Sequence, residues 1–333
     1  MQLEVKGHAA ATGEAAWSRY WAAGHAHSCP TSFAGFYGPQ LQAFWGRQAA
    51  VLGPEDLALD LGCGNGALLR FFWSRFDAGR APALVGVDAA ELRPDWPAGP
   101  VMARVTIHPR TRFHALPLAS ESVSLAASLF GIEYANDEAT WTELARVLRW
   151  RARVAFVLHK RGSHLDALAA DEIVVARAAL AADGVLALAR ALLPFLARAA
   201  SDAGRVGLAG DREAEEVRGR FNAATETLAN LSEFVKHGEY AHDILAALMK
   251  VLGEAGGGFG AMLGQRLETL RAGVADHLSR IEALRHCALD PAGVQAMRNR
   301  LQQGGFVLAP AATIAEQGYE MGWVLEGGRG YAG

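Results

Sequence analysis

Between residues 56 and 163, apolar positions fall into two alternating rhythms. Short unbroken runs ("LALDLG", "ALVGVDAA", "VSLAASLFG" and "RVAFVLHK") read as buried strands. Between them, "GALLRFFWSRF" and "EATWTELARVLRW" space their apolar residues as helices do. Buried strands alternating with helices predict right-handed βαβ units and a parallel sheet covered on both faces. From about Leu165 to Leu289 the period is helical almost throughout. It breaks at Asp183-Gly184, is interrupted at Pro194, and loops at Gly256-Gly257-Gly258-Phe259-Gly260. Then "DPAGVQAMRNRLQQGGF" reads as a helix with Asp290 as N-cap, Pro291 in the first turn and a Gly-Gly stop. "FVLAPAATIA" and "YEMGWVLEGGRG", joined by "EQG", predict a terminal antiparallel hairpin.

Upstream of the sheet the pattern is aromatic. Trp17, Tyr20 and Trp21 share one helical face, and "YGPQLQAFWGRQAAVL" is a second amphipathic helix with Leu41, Phe44, Trp45 and Val51 apolar. Between them "GHAHSCPTSFAG" combines turn formers with polar groups able to line a pocket. No fixed-period repeat is present, which argues against a solenoid. The expected organisation is an aromatic helical cap over 1–52, a core over 53–164 and 290–333, and a helical insertion over 165–289, serving as lid or interaction subdomain.

Length and composition leave this picture intact. The chain has 333 residues, 51% hydrophobic and 20% charged, enough for a core domain with a large insertion. Net charge is −3 with both signs interspersed, and the local basic group, Arg146 to Arg153, reads as a solvated strand flank. No nucleic-acid partner is expected. Cys29, Cys63 and Cys287 lie far apart without CxxC spacing, against a zinc knuckle or a disulfide framework. No run approaches 18 apolar residues without a charge, and the N-terminus lacks signal-peptide order, so a cytoplasmic protein with no membrane partner is expected.

The chemistry starts at "LALDLGCGNGALL". A glycine turn between the first parallel strand and the next helix lies at the carboxyl edge of the sheet, where open α/β sheets bind ligands. Asp88 ends the second strand, where an acid can bridge ribose hydroxyls. The spacing Gly62-x-Gly64-x-Gly66 differs from the dinucleotide G-x-G-x-x-G, and Ala67-Leu68 lacks the Lys-Ser/Thr of a P-loop. Asp60 aims a negative charge at the turn, which suits a cationic cofactor better than a pyrophosphate.

Here the sequence resembles the class I S-adenosylmethionine-dependent methyltransferases. The residues that carry the resemblance are "LALDLGCGNG", "LVGVDAAE", "ALPLASESVSLAASLFGIEY" and "ELARVLRWRARVAFVLH", over about 55–165 and then 290–330. It implies a Rossmann-like, mostly parallel seven-stranded sheet with a C-terminal antiparallel hairpin, and S-adenosyl-L-methionine as cofactor. It further implies a cofactor-binding turn of Gly62, Cys63, Gly64, Asn65 and Gly66, in which backbone around Gly62 and Gly64 contacts the methionine part, with Asp60 near its ammonium group. Asp88 would hold the ribose, Ala89 would lie beside the adenine, and Phe113, His114 and Ala115 would line the adenine edge. Ser128 and Phe130 would close the pocket. The chain departs from the family in three places. Arg112 stands where an adenine-binding acid is common, Val123-Ser124 replaces Phe-Asp, and Trp150-Arg151-Ala152 replaces Pro-Gly-Gly.

Methyl transfer is an in-line displacement driven by positioning and desolvation, and it needs a base only when the acceptor loses a proton. Candidates at the carboxyl edge are Glu133, Tyr134 and His159, with Tyr20, Trp21, His25 and Tyr37 as candidate acceptor contacts. His25 and His27 alone supply too few ligands for a metal, and no metal is expected. A small or medium organic acceptor fits a site capped by aromatic and helical elements, and the insertion is also a candidate homodimer surface. The reading from a different class is a cofactor-binding scaffold, catalytically weak or silent, that acts through its helices.

Overall fold

A computed structural model describes residues 13–28, 35–77, 79–96, 103–253 and 260–330. The chain divides into two compact units, one of residues 1–166 with 283–333 and one of residues 167–282.

The first unit is built on an eight-stranded sheet. Its strands are β1 (Leu57–Leu61), β2 (Ala83–Val87), β3 (Val105–His108), β4 (Val123–Leu129), β5 (Leu148–His159), β6 (Phe306–Leu308), β7 (Ala312–Glu316) and β8 (Tyr319–Arg329). The order β3-β2-β1-β4-β5-β8-β6, with β7 also on β8, is Rossmann-like: β1 to β5 are parallel and β8 is antiparallel to β5. β1 pairs with β2 on one side (Leu59 opposite Val85) and β4 on the other (Leu59 opposite Ala126), so the order reverses at the carboxyl end of β1. That reversal opens the crevice in which such sheets bind ligands.

Strand alternation sorts the core into two layers. Leu59, Leu61, Val154, Phe156 and Leu158 pack with Trp141, Leu144 and Val147 of α4 (Glu138–Val147) and with Val294, Met297 and Leu301 of α11 (Pro291–Gln303). Ala58, Leu84, Leu125, Ala127, Ala155 and Val157 pack on the other face with α2 (Pro39–Ala49) and α3 (Ala67–Trp73). The aromatic residues Phe44 and Trp45 of α2 therefore belong to the sheet's own core.

Several local expectations change. The sheet has one strand more than expected because "FVLAPAATIA" forms two strands. Pro310 cannot donate to a ladder, and the chain leaves the sheet between Leu308 and Ala312. β3 is a four-residue edge strand, too short to stand out in the apolar pattern. The β7–β8 hairpin turns at Gln317 (φ 52°) and Gly318 (φ 84°), the pair of positive φ angles that matches strand twist. Arg151 stands in the left-handed region (φ 66°), a conformation that glycine adopts without strain. Asp290 caps α11 as expected, its Oδ1 accepting from Gly293 N at 2.7 Å.

The second unit is helical: α5 (His164–Leu180) leads in, then α6 (Val185–Ala199), α7 (Asp202–Leu208), α8 (Arg212–Phe234) and α9 (Glu239–Gly253) follow, and α10 (Gly260–Cys287) leads out. Its own core includes Val175, Leu186, Phe221, Leu228, Ile244 and Leu248. Pro194 does not interrupt α6 but lies inside it. A proline removes one backbone bond, and the buried face of Val185, Leu186, Leu188, Ala189 and Leu192 holds the helix together. The expected glycine loop 256–260 falls, but for Gly260, outside the described residues. One stretch, His164–Ala199, has the length and mean hydropathy (1.7) of a membrane span. It is divided at 181–184 into helices of 17 and 15 residues, each short of the roughly 20 a span needs. Residues 283–289, expected with the helices, group with the sheet-bearing unit rather than with the helical unit. The reason is a backbone junction, in which Leu289 N donates to His159 O (2.9 Å) and Arg161 N to Leu289 O (3.0 Å).

Candidate functional site

The turn after β1 is built as its glycines require. Gly62, Gly64 and Gly66 have φ of 78°, 48° and 85°. A Cβ on Gly62 would stand 2.8 Å from the Gly131 Cα, and one on Gly64 would stand 2.6 Å from the Trp21 ring. Gly62 N and Cys63 N donate to Val87 O (2.9 and 3.1 Å), which ties the turn to the end of β2. From there Asp88 reaches back. Its Oδ2 accepts from Gly64 N and its Oδ1 from Ala90 N, each at 2.9 Å. The glycine turn and the acid that follows the second strand are therefore in direct contact.

Beneath the turn lies Asp60, buried on β1. Its Oδ2 has no hydrogen-bond partner among the described residues. Burial, reinforced by the nearby Asp88 carboxylate, pushes its pKa up to about 8. The half-buried Asp88 is raised as well, chiefly by desolvation, against the pull of its two backbone donors. Two buried acids, each resisting ionisation, make this end of β1 a place where a cation would favour the charged carboxylates. The Cys63 thiol is pushed up by burial and by both carboxylates, so it stays protonated, donating to Gly64 O.

The remaining residues of the expected cofactor set divide by role. Phe113 is buried against Gly62, while His114 and Ala115 are exposed. Asn65 is committed to the protein: Nδ2 donates to Trp21 O (2.9 Å) and His25 O (2.8 Å), and Oδ1 accepts from Arg93 N (2.9 Å). Ser128 is likewise occupied, donating to Leu61 O (2.7 Å) and accepting from Ile132 N (2.9 Å). Ala89 follows Asp88 on the same loop, half-buried. Arg112 pairs with Glu14 at 2.6 Å.

The aromatic residues form a connected wall. In α1, helical over residues 13–22, Trp17 stacks on Trp21 (5.6 Å) and meets Tyr134 edge-on (6.3 Å). Tyr20 stacks on His25 (4.2 Å) and donates to His27 O (2.9 Å). Tyr37 approaches His27 (4.8 Å) and Phe130 (6.4 Å), and Phe130 lies 4.5 Å from the His159 ring. The candidate acceptor residues Tyr20, Trp21, His25 and Tyr37 are thus joined to both strand ends, β4 and β5.

At those ends stand Glu133 and His159. Glu133 belongs to a 3-10 turn, Ile132–Ala135, directly after β4. Its Oε1 accepts from His159 N and lies 2.8 Å from His159 Nδ1. Both residues are buried, and Glu133 Oε2 has no hydrogen-bond partner among the described residues. Cys287, at the end of α10, brings its sulfur to within 4.8 Å of donor atoms on both. The Cys287 Sγ donates to Leu284 O at 3.3 Å, and its thiol pKa is raised mainly by burial and further by Glu133. Sequence reasoning selected Glu133, Tyr134 and His159 but not Cys287, which is 128 positions from His159 and carries no local signal.

No family model matches the chain, and no curated protein matches it. Among solved structures it is similar to geranyl diphosphate C-methyltransferase from Streptomyces coelicolor A3(2), solved with Mg2+, geranyl-S-thiolodiphosphate and S-adenosyl-L-homocysteine: 17% identity, 35% of this chain and 42% of that one, TM-score 0.29. It is also similar to the YcgJ protein from Bacillus subtilis, at 20% identity over 38% of this chain and 58% of that one, TM-score 0.30. A third is an S-adenosylmethionine-dependent methyltransferase from Mesorhizobium loti, at 21% identity over 35% and 53%, TM-score 0.28. The chain spans about half the length of each of these structures.

Proposed function

We propose that this protein binds S-adenosyl-L-methionine and transfers its methyl group to a small or medium-sized organic acceptor. The observation that carries the reading is Asp60, a buried carboxyl group beneath a three-glycine turn whose Oδ2 has no hydrogen-bond partner among the described residues. Leaving such a group without a partner costs several kcal/mol, and a cationic ligand removes that cost. A pyrophosphate there would supply no positive charge to Asp60 and would add negative charge beside two acids whose ionisation burial already opposes. When bound, S-adenosylmethionine supplies a sulfonium-activated methyl group.

In this reading Asp60 holds the ammonium end, and the backbone of Gly62 and Gly64 lies against the methionine part. Asp88 exchanges its backbone donors for ribose hydroxyls, with Ala89 and Phe113 beside the base. Glu133, Tyr134 and His159 face the acceptor from the ends of β4 and β5, and Trp17, Tyr20, Trp21 and Tyr37 exclude water from that side. Dry, oriented approach of the acceptor supplies most of the acceleration of an in-line displacement.

Isothermal titration with S-adenosylmethionine tests the donor half, and Asp88→Ala is expected to weaken binding at least tenfold. No heat of binding with the wild-type protein would overturn the reading. Release of S-adenosylhomocysteine in an extract of the source organism tests transfer. Binding without turnover on any acceptor would favour a scaffold over an enzyme.

A further inference from the structure

We propose that Glu133, His159 and Cys287 form a binding site for one zinc-type divalent cation, open at its remaining coordination position. Three different donors converge there: a carboxylate from the turn after β4, an imidazole from the last residue of β5, and a thiol from the end of α10. Their ligand atoms lie within 4.8 Å of one another. Tetrahedral zinc with about 2.0–2.3 Å bonds asks for separations somewhat under 4 Å, so a small contraction completes the set. The Glu133 Oε1 and His159 Nδ1 stand 2.8 Å apart as a hydrogen bond, which the cation would replace as Nδ1 gives up its proton and the two ligand atoms separate slightly.

Two further observations point to a ligand. Glu133 has a fully buried side chain whose Oε2 is unpartnered among the described residues, while its Oε1 is taken up by the backbone N–H and the ring of His159. The cysteine is also not on a loose tail. Leu289 bridges Lys160 in parallel register, donates to His159 O, and accepts from Trp323 Nε1 at 2.9 Å. That clamp holds the chain two residues beyond Cys287 to the residue next to the imidazole. Nitrogen, oxygen and sulfur donors together select a borderline-soft cation over magnesium or calcium, and three protein ligands leave the open position of a catalytic rather than a structural zinc.

What the metal would do rests on the methyltransferase reading; the metal site itself does not. An acceptor thiol or hydroxyl taking the open position loses its proton to solvent and is held as the anion. Its lone pair then forms the new bond to the methyl carbon as the carbon–sulfonium bond breaks, its electron pair returning to sulfur.

The test is titration of the chelator-treated protein with Co2+, a chromophoric stand-in for zinc. We expect one cobalt per chain, a thiolate-to-cobalt charge-transfer band in the near ultraviolet, and displacement by Zn2+. Cys287→Ser, which keeps size and polarity, should lose the band while circular dichroism and S-adenosylmethionine binding stay unchanged. Glu133→Gln should weaken cobalt binding at least about 100-fold, the upper end of what even outer-shell changes cost. Absence of the band in the wild type, or its persistence in Cys287→Ser, would overturn the metal site and leave His159 and Glu133 as a metal-free acid–base pair. S-adenosylmethionine titration of the same metal-free protein separates failure of the metal site from failure of the methyltransferase reading.

Discussion

If Asp60 receives the cationic end of the cofactor, affinity must depend on pH in a defined direction. In the ligand-free protein its pKa stands at about 8, raised by burial and by Asp88, so near neutrality it is mostly protonated. Only the ionised form attracts an ammonium group, so binding expels the proton. The ionised fraction is about 1% at pH 6 and about 9% at pH 7, a rise of about ninefold in affinity or about 1.3 kcal/mol. The window lies below the titration of the ligand's own amino group, near 7.7–8.0 for an α-amine, so the ligand's charge is nearly constant across it. Calorimetry in buffers of differing ionisation enthalpy reads both quantities: affinity at each pH, and close to one proton released per ligand at pH 6. The control is Asp60→Asn, which keeps shape and should flatten the profile, cancelling whatever the histidines contribute. A wild-type affinity that does not change between pH 6 and pH 7, with no proton released, refutes Asp60 as the cation's partner.

The same shift bears on stability. A carboxyl whose folded pKa exceeds its unfolded value near 3.8 binds protons more tightly when folded, so stability falls as pH rises from about 4 to about 8. Asp60→Asn should therefore raise the thermal midpoint of the ligand-free protein at pH 8 and change it little at pH 4.5; a gain of equal size at both would sink the argument. At the glycine turn, Gly62→Ala meets backbone at Gly131, whereas Gly64→Ala meets the movable Trp21 ring. Both carry a left-handed penalty of about 1–2 kcal/mol. Gly62→Ala should cost more in urea denaturation, and Trp21→Ala should partly rescue Gly64→Ala alone. Rescue of both would deny the difference. Buried Glu316 on β7 accepts from Leu41 N at 2.6 Å, satisfying a free amide in the first turn of α2. Glu316→Ala should cost about 1–3 kcal/mol by denaturant titration, and an unchanged midpoint would show that this cap contributes nothing.

Much of this molecule was legible before folding. Apolar runs ending at Leu61, Val87, Leu129 and His159, with the glycines at 62, 64 and 66, gave the parallel core and its ligand edge. A buried strand and a positive-φ turn each need particular residues at adjacent positions, so both leave a local trace. The Asp290 cap and the terminal hairpin were readable for the same reason.

Where tertiary contacts compete with local preference, the pattern misled. It took Pro194 for an interruption, although a buried helical face outweighs one lost hydrogen bond, and it read a single strand across Pro310. It also missed β3, whose four residues show no period. What only the tertiary structure decided was which distant groups meet. Trp21 lies on Gly64 because Asn65 holds its carbonyl, and Cys287 joins Glu133 and His159 because Leu289 is clamped to β5. The raised pKa of Asp60 is decided the same way, since it comes from burial and from Asp88 across a strand pair. Periodicity records how each segment meets water; it does not record which segment fills the space opposite, and that is set by packing.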